Sequence, residues 1–360
     1  MGFQQLRLYN FRNLRDRELE LGAREVFLVG ENGQGKTNLL EAVHLLSLGS
    51  SFRENRESAF ARDPSVPIGL SARYSCPDAA EKTLSLQMTP GQRKEIRVNE
   101  KVVNDRRALL AEVLCVGLVQ QDMDYVTGSP EDRRRFFDQT LVLSDLPFID
   151  SLRGYRQVLR ARNLCLKEDK DDLLDVYDMQ LAALGMVVQD RRAALLTEFD
   201  GVFAPLFREI AGVDHVVNIR YRPSWERLFG TDEILAHLAA RRGRDRALGT
   251  TTSGPHRDSV TYVSEGRDYT HFASTGQLRL CALALRVAQA RFLAERTGRK
   301  PVLLLDDVLL ELDPGRKRAF LARFPPYEQA FFTFLPDESW HSFQTPQTMV
   351  LTVARGEFLR

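Results

Sequence analysis

Apolar and polar positions in the N-terminal part of the chain alternate over the short distances that are typical of strands. Residues 1–29 predict two or three short strands, and the last of them is the apolar run Glu25–Val29. This run leads into a glycine-rich turn, and a helix is predicted after it over residues 36–48. Residues 66–104 alternate apolar and polar positions in short runs, which predicts an antiparallel meander.

The middle of the chain changes to helical spacing. Apolar residues recur in rows from 130 to 210, and Ser129, followed by a proline and two acidic residues, is a typical helix N-cap. Two antiparallel helices are predicted, with the charged stretch 167–172 as their turn. Strand returns at 213–222 and helix at 232–248, after which strands and helices alternate. The pattern predicts an α/β body interrupted by a mainly helical lobe.

Composition narrows the class of protein without identifying it. The 360 residues are 43% hydrophobic and 28% charged, with a formal net charge of +1. Any contact with nucleic acid therefore needs a local basic patch rather than an overall positive field. The N-terminus lacks the pattern of a signal peptide, and no run approaches the roughly 20 apolar residues of a membrane span. We expect a soluble, cytoplasmic protein with no membrane association. Its scattered cysteines predict core thiols in a reducing compartment rather than disulfides or a zinc site: Cys76, Cys115, Cys165 and Cys281.

The glycine-rich turn fits the phosphate-loop pattern GxxxxGK[ST] at every fixed position, between a buried strand and a helix. Its backbone N–H groups and the helix N-terminus would surround phosphate oxygens. Lys36 would reach the β- and γ-phosphates of ATP, and the Thr37 hydroxyl would ligate Mg²⁺. A chance glycine-rich turn is the alternative. The predicted nucleotide-binding residues of this segment are Gly30, Glu31, Asn32, Gly33, Gln34, Gly35, Lys36, Thr37 and Asn38.

A second motif is the apolar strand 301–305, which ends in two carboxylates. This is the Walker B form, in which Asp306 would hold Mg²⁺ and Asp307 would act as the general base on the attacking water. The alternative is a buried strand whose trailing acids cap the next turn. We predict Asp307, Lys36 and Gln121 as catalytic residues, and Thr37 and Asp306 as metal ligands.

The distance between the two motifs indicates the subclass. Lys36 and Asp306 lie 270 positions apart, more than a compact P-loop kinase or GTPase needs, and no N-K-x-D guanine motif occurs. One helix and one turn before Asp306, the segment 274–277 (Ser-Thr-Gly-Gln) resembles the ABC signature. There Ser274, Gly276 and Gln277 would bind the γ-phosphate held by a second subunit. An ordinary serine N-cap on a core helix is the alternative.

Two flanking segments fit the same class, and two positions depart from it. Residues 311–313 fit a D-loop at a dimer interface, and Gln120 or Gln121, with Gln121 preferred, suits a Q-loop. Asp307 stands where transporters carry Glu, which predicts slow turnover. The usual switch histidine is absent, and its region offers only Thr333.

These motifs together resemble the RecF family, the SMC-like recombination mediators of bacteria, over nearly the full length. By this resemblance Arg12 and Asn13 join the nucleotide-binding residues. The resemblance implies an α/β P-loop ATPase head of the ABC/SMC type, residues 1–122 and 250–360, with a mainly helical arm lobe at 123–249. It implies an ATP-dependent homodimer on DNA, a preference for gapped or single-strand/double-strand junction DNA, and cooperation with RecO and RecR. The motifs that carry it are 11–13, 30–38, 128–138, 254–258, 274–277 and 303–313.

Basic residues outside these motifs allow two interpretations each. His256 and Arg257 either contact DNA or a partner, or form a structural turn. Residues 133–135, three consecutive arginines, predict a solvated first helical turn. A further set recurs at helical spacing on the arm and either contacts phosphates or forms a solvated helix face: Arg153, Arg156 and Arg160, with Arg162 close by.

Two other functions remain alternatives. An ATPase subunit of an ABC transporter would share the phosphate loop and the signature. The segment 11–13 and the long helical lobe instead favour the interpretation as a DNA-binding ATPase. A purely structural SMC-type tether would need long heptad segments, which the sequence lacks.

Overall fold

The computed structural model describes residues 2–53, 56–75, 81–308 and 314–360. The strands in this part of the chain are β1 (Gly2–Tyr9), β2 (Arg17–Glu20), β3 (Glu25–Val29), β4 (Ile68–Ser75), β5 (Glu81–Met88), β6 (Glu95–Val98), β7 (Lys101–Val102), β8 (Cys115–Leu118), β9 (Asn218–Arg222), β10 (Ser259–Ser264), β11 (Arg267–Asp268), β12 (Val302–Leu305), β13 (Gln329–Phe334), β14 (Thr348–Ala354) and β15 (Glu357–Leu359). The helices are α1 (Lys36–Leu48), α2 (Arg106–Leu110), α3 (Asp124–Thr127), α4 (Pro130–Ser144), α5 (Phe148–Lys167), α6 (Leu174–Ala211), α7 (Thr231–Leu248), α8 (Thr275–Thr297) and α9 (Pro314–Leu321).

A largely parallel sheet carries the two chemical motifs. Its strand order is β15-β14-β3-β13-β12-β8, and every pair except β14 with β15 is parallel. The strands β3, β13, β12 and β8 are apolar and buried almost throughout, as is typical of parallel strands inside an α/β fold. Because parallel strands end at the same edge, the segments after β3, β12 and β8 lie along one edge of the sheet. The predicted strand at 25–29 and helix at 36–48 are confirmed.

An antiparallel sheet occupies the same part of the chain, with the order β2-β1-β4-β5-β6-β7. Its strands β4 to β7 are the predicted meander. Alternate residues of β4 are buried, starting with Ile68 and Leu70, while the residues between them are more exposed. One face of the sheet therefore belongs to the core.

The helical lobe is built around α6, which packs against α4, α5 and α7. Ser129 caps α4, as the sequence predicted, and the cap is a reciprocal capping box with Asp132. The fully buried Arg162 of α5 bonds Asp178 of α6 at 2.6 Å and Asp245 of α7 at 2.8 Å, so it belongs to the core and not to a solvent-facing stripe. The sheet β11-β10-β9 completes this lobe.

The chain divides into two compact units, the first being Met1–Asp122 with Gln289–Arg360 and the second Met123–Ala288. The second unit therefore includes residues 250–288, which the sequence assigned to the ATPase lobe. The physical reason is that β10 pairs with β9, which ties this stretch to the helical lobe. The functional division at residues 123 and 250 stays a prediction.

Two features of the sequence analysis lie partly or wholly outside the described residues. The predicted D-loop at 311–313 is outside them, and so is Cys76. The other three cysteines are buried free thiols. None of the helices in the described part of the chain has both the length and the apolar character that a membrane crossing requires.

Candidate nucleotide site

The phosphate loop connects β3 to α1 and requires glycine at two positions. A Cβ on Gly30 would lie 2.3 Å from the backbone oxygen of Val353, and one on Gly35 would lie 2.6 Å from a methyl group of Leu14. Gly35 also has a φ of +119°, which L side chains rarely adopt. Gly33 has a φ of +76°, which also favours glycine, but no atom of the described residues lies within 4 Å of a Cβ placed there. The loop is thus closely packed against Val353 and Leu14 at Gly30 and Gly35, and it is open at Gly33.

Lys36 places its charge inside this loop. The side chain is only 4% exposed, and its Nζ donates hydrogen bonds to the backbone oxygens of Gly30 and Glu31. The ammonium and the N-terminus of α1 thus concentrate positive potential in one concavity. Glu31 and Asn32 lie exposed at its rim. This arrangement suits the phosphates of a nucleotide.

Thr37 and Asp306 meet at the carboxyl edge of the parallel sheet. The Thr37 hydroxyl donates to Oδ1 of Asp306 at 2.8 Å, although the two residues are 269 positions apart. Burial, and then the negative charge of Asp307, raises the pKa of Asp306 to about 6. A divalent cation would favour the ionised form, and hard oxygen donors of this kind suit Mg²⁺. The donor set therefore fits the predicted metal site.

Thr333 of β13 connects the two carboxylates. Its hydroxyl donates to Oδ1 of Asp307 at 2.8 Å and lies 3.3 Å from Oδ1 of Asp306, while the backbone N–H of Asp307 donates to it at 2.7 Å. Asp307 has a φ of +52°, a left-handed conformation that costs a non-glycine residue roughly 1–2 kcal/mol. Thr333 holds Asp307 in this conformation. In the sequence it was only the polar residue found in the region where a switch histidine is usual.

A charged network that the sequence analysis missed lies beside the loop. The buried carboxylate of Glu41 in α1 accepts both Nε and NH2 of Arg12 at 2.9 Å and NH2 of Arg53 at 2.6 Å. Although burial acts to raise it, hydrogen bonds from Arg12, Arg53 and Ser51 hold the pKa of Glu41 below its ordinary value. Two arginines share one carboxylate, so the network carries a net positive charge. Arg53 has no motif around it, and only its tertiary position reveals it.

Asn13 and Asn38 support the loop directly. Nδ2 of Asn13 donates to the backbone oxygen of Gly33 at 2.9 Å, and Nδ2 of Asn38 donates to Oδ1 of Asn13 at 2.6 Å. Gln34 is held through its side-chain oxygen by the backbone N–H of Arg355 at 2.6 Å. These residues fix the loop's shape. The guanidinium of Arg12 is bonded to Glu41 and to a backbone oxygen, so its predicted contact with nucleotide stays a prediction.

Gln120 and Gln121 follow β8 at the same sheet edge as Asp306. The backbone N–H of Asp306 donates to the oxygen of Leu118 at 2.9 Å, which aligns the two strand ends. Both glutamines are exposed in the short 3₁₀ turn Gln120–Met123. Their position suits a residue that reaches a bound nucleotide, and no contact with the part of the chain that the structure describes distinguishes one glutamine from the other.

The predicted signature begins α8 in the second unit. Ser274 Oγ accepts the N–H of Gln277 at 3.3 Å, and the Gln277 side chain accepts the N–H of Ser274 at 2.8 Å. This is a capping box, so the serine N-cap alternative describes the local structure. Ser274 and Gly276 are nevertheless exposed, which leaves the helix N-terminus open to solvent. Capping and anion binding are compatible at such an end.

The basic residues of the second unit mostly have partners. Arg133 and Arg134 donate to backbone oxygens of Val260 and Asp258, so the predicted solvated turn is instead bonded to β10 and the residue before it. On α5, Arg153 pairs with Asp150 at 3.6 Å and Arg156 pairs with Asp138 at 3.3 Å. His256 accepts a hydrogen bond from the Tyr155 hydroxyl at 2.7 Å, which favours a structural turn.

The fold and the site define an SMC-type P-loop ATPase head. The chain matches the RecF/RecN/SMC N-terminal domain family over residues 3–339. It also shares its fold with the Smc head bound to the C-winged helix domain of ScpA, with a TM-score of 0.58 at 14% identity, over 99% of this chain and 96% of that one.

Closer similarity specifies the branch of this class. The chain is 37% identical, over 96% of its length, to the DNA replication and repair protein RecF of Treponema pallidum (strain Nichols), of which it covers 98%. It is 28% identical to the solved structure of the recombination mediator protein RecF-ATP of the RecFOR pathway, with a TM-score of 0.90 over 99% of this chain and 98% of that one. The chain therefore belongs to the RecF family. A transporter subunit is not favoured.

Proposed function

We propose that this protein is an ATPase of recombinational DNA repair that binds DNA when it holds ATP. The observation that carries the proposal is the 2.8 Å contact between Thr37 and Asp306, which joins the phosphate loop to the acidic strand beside the buried ammonium of Lys36. These are the groups that bind a nucleoside triphosphate and its metal. The similarity to RecF-ATP supports ATP as the nucleotide.

Each residue has a distinct part in this proposal. Lys36 moves its hydrogen bonds from loop oxygens to the β- and γ-phosphates, and backbone N–H groups of residues 30–38 bind the remaining oxygens. Thr37 and Asp306 hold Mg²⁺, which would neutralise phosphate charge. Gln121 reaches toward the same group from the end of β8.

Asp307 acts as the general base for hydrolysis. One of its oxygens accepts the Thr333 hydroxyl, and the other has no hydrogen-bond partner among the described residues. That oxygen can accept the proton of an attacking water. The shorter reach of Asp compared with Glu supports slow turnover, so the ATP-bound state persists.

The site is completed by a second copy of the chain. The exposed Ser274 and Gly276, with the half-buried Gln277, offer hydroxyl and N–H groups at the start of α8 to the γ-phosphate held by the partner. ATP binding then closes a homodimer on DNA, and hydrolysis releases it. In this role the protein helps to load recombinase at gaps or single-strand/double-strand junctions, with RecO and RecR as partners.

A pair of substitutions at Ser274 tests the shared site. Ser274→Asn and Ser274→Asp both keep an oxygen that caps α8. Only the aspartate places a negative charge where the partner's γ-phosphate would lie. We expect Ser274→Asp to bind ATP normally and to lose ATP-dependent dimerisation in sedimentation, whereas Ser274→Asn retains most of it.

Mixing two variants sharpens this test. Lys36→Met removes the ammonium of the phosphate loop and should bind ATP weakly. A heterodimer of Lys36→Met with Ser274→Asp contains one site built from the intact loop of one chain and the intact signature of the other. Mixing should therefore restore part of the association that neither variant shows alone. If Ser274→Asp dimerises as well as the parent, the shared site is wrong.

A further inference from the structure

The outward face of the sheet β11-β10-β9 carries two arginines at alternate positions. Arg220 and Arg222 of β9 are exposed, while Ile219 is buried on the opposite face. Alternate residues on one face of a strand lie roughly 6.6 Å apart along its axis. The two guanidinium groups therefore start from a fixed spacing that is comparable to the separation of neighbouring phosphates along a nucleic-acid strand.

These two arginines have no carboxylate partner among the described residues, a property that they share with other exposed arginines of the second unit: Arg160, Arg208, Arg227 and Arg244. No Asp or Glu among the described residues lies within ion-pair distance of Arg220 or Arg222. An unpaired guanidinium keeps all its donors available for an anion. The exposed arginines of the same unit that do pair with a carboxylate are Arg135, Arg153, Arg156, Arg191, Arg246 and Arg267.

The residues directly across the sheet add neutral donors. Ser259 lies opposite Arg222, and Thr261 lies opposite Arg220. Both are half-buried hydroxyl residues on the same face. Hydroxyl side chains are frequent donors to phosphate oxygens beside arginine. These four positions thus combine two cations and two hydroxyl groups on one face.

Two carboxylates hold the strand β9 and the segment that follows it in place. The Tyr221 hydroxyl donates to Oδ2 of Asp258 at 2.5 Å, and the backbone N–H of Ser224 donates to Oδ1 at 2.8 Å. Asp258 is fully buried and also pairs with Arg192 at 2.9 Å. Asp200 accepts the backbone N–H of Ile219 at 2.6 Å. Anchors on both sides of the arginines reduce the ordering cost of binding.

We propose that Arg220, Arg222, Ser259 and Thr261 form a binding surface for the phosphodiester backbone of DNA. The proposal rests on the proposed DNA-binding function and assigns a surface to it. Because arginine and hydroxyl groups here face phosphates rather than base edges, the contact is independent of base sequence. An acidic protein surface would also match the charge, but it would not require the regular spacing of the two arginines.

The test compares matched double variants of the full-length chain in the presence of ATP. Binding to a fluorescein-labelled DNA duplex is measured from about 50 to 200 mM salt, and the slope of log affinity against log salt is taken. Each lost phosphate contact lowers the slope by about 0.9, so Arg220→Gln with Arg222→Gln should lower it by about 1.8. Arg220→Lys with Arg222→Lys keeps the charges and should retain most of the slope.

A second double variant controls for net charge. Arg153→Gln with Arg156→Gln removes two charges from α5 of the same unit, but their carboxylate partners already neutralise them, so the slope should stay at the parental value. Thermal unfolding reports whether each variant is folded. A parent without ATP-dependent DNA binding would refute the proposed function and this surface with it. If the parent binds DNA in the presence of ATP and the double glutamine variant keeps the parental slope, only this surface is refuted. An acidic protein would then be the remaining partner for the two arginines.

Discussion

Thr333→Val is expected to separate ATP binding from ATP hydrolysis. Valine keeps the shape of threonine but lacks the hydroxyl. Thr333 is only 3% exposed, and its hydroxyl lies between Asp306 and Asp307. Lys36 and the glycines of the loop are untouched, so we expect nucleotide affinity close to that of the parent.

The magnitude follows from the bonds that are lost. The hydroxyl makes two close bonds to Asp307, one to its Oδ1 at 2.8 Å and one from its backbone N–H at 2.7 Å. A hydrogen bond to a charged group contributes about 1.5–3 kcal/mol. If losing this bond raises the activation free energy of hydrolysis by the same amount, the hydrolysis rate should fall roughly 10- to 100-fold, because each 1.36 kcal/mol is a factor of ten. The left-handed backbone of Asp307 loses its anchor at the same time.

Thr333→Ser is the matched control, because it keeps the hydroxyl and removes one methyl group. ATP affinity is measured by titration with a fluorescent nucleotide, and hydrolysis by single-turnover phosphate release. We expect the serine variant to hydrolyse within about threefold of the parent, which is less than 1 kcal/mol. Equal hydrolysis by the valine and serine variants would refute the reasoning, because the hydroxyl would then have no part in placing Asp307.

Three further predictions concern the loop and the second unit. Gly35→Ala should weaken nucleotide binding far more than Gly33→Ala in the same titration, because both have positive φ but only the Cβ at Gly35 meets a leucine methyl group, at 2.6 Å. Arg162→Met should lower the free energy of unfolding in urea by roughly 3–5 kcal/mol, because two carboxylates stay buried without it, and adding Asp245→Asn should restore part of the loss. Burial lowers the pKa of His256 from 6.5 to about 4, so the unfolded chain takes up the proton first. The contribution of neutral His256 to the free energy of unfolding is therefore complete above pH 6.5 and falls by at most about 3 kcal/mol toward pH 4. His256→Gln should remove this part of the pH dependence of stability.

Local chain chemistry explains what the sequence could predict. The helix at 36–48 and the strand at 25–29 follow from apolar spacing and a glycine turn, and the structure has them at these residues. The N-cap at Ser129 depends only on the residues that follow it. Thr37 and Asp306 are distant in sequence, but their two motifs predicted a shared metal, and the structure has the two side chains in contact.

Contacts without a local pattern explain what the sequence missed. Arg53 reaches Glu41 because both lie beside the phosphate loop in three dimensions, and the surrounding sequence gives no signal for this. Arg133 and Arg134 look like a solvated helix start, yet their partners are backbone oxygens more than a hundred positions away. Backbone oxygens are present at every residue, so no side-chain pattern could identify these two.

The segment 254–258 shows how such contacts decide between interpretations. Gly254 has a φ of +133°, and a Cβ there would lie 2.8 Å from the Tyr155 hydroxyl. Neutral His256 accepts from that hydroxyl at Nδ1 and donates from Nε2 to the oxygen of Thr251 at 2.9 Å. Both ring nitrogens are thus engaged, which favours the structural interpretation of His256 over a contact with DNA. Asp258, at the end of the segment, anchors the loop that follows β9. Of the two interpretations that the sequence left open for this segment, the structural one therefore has the support of its contacts, and through Asp258 the segment also holds the strand that carries Arg220 and Arg222.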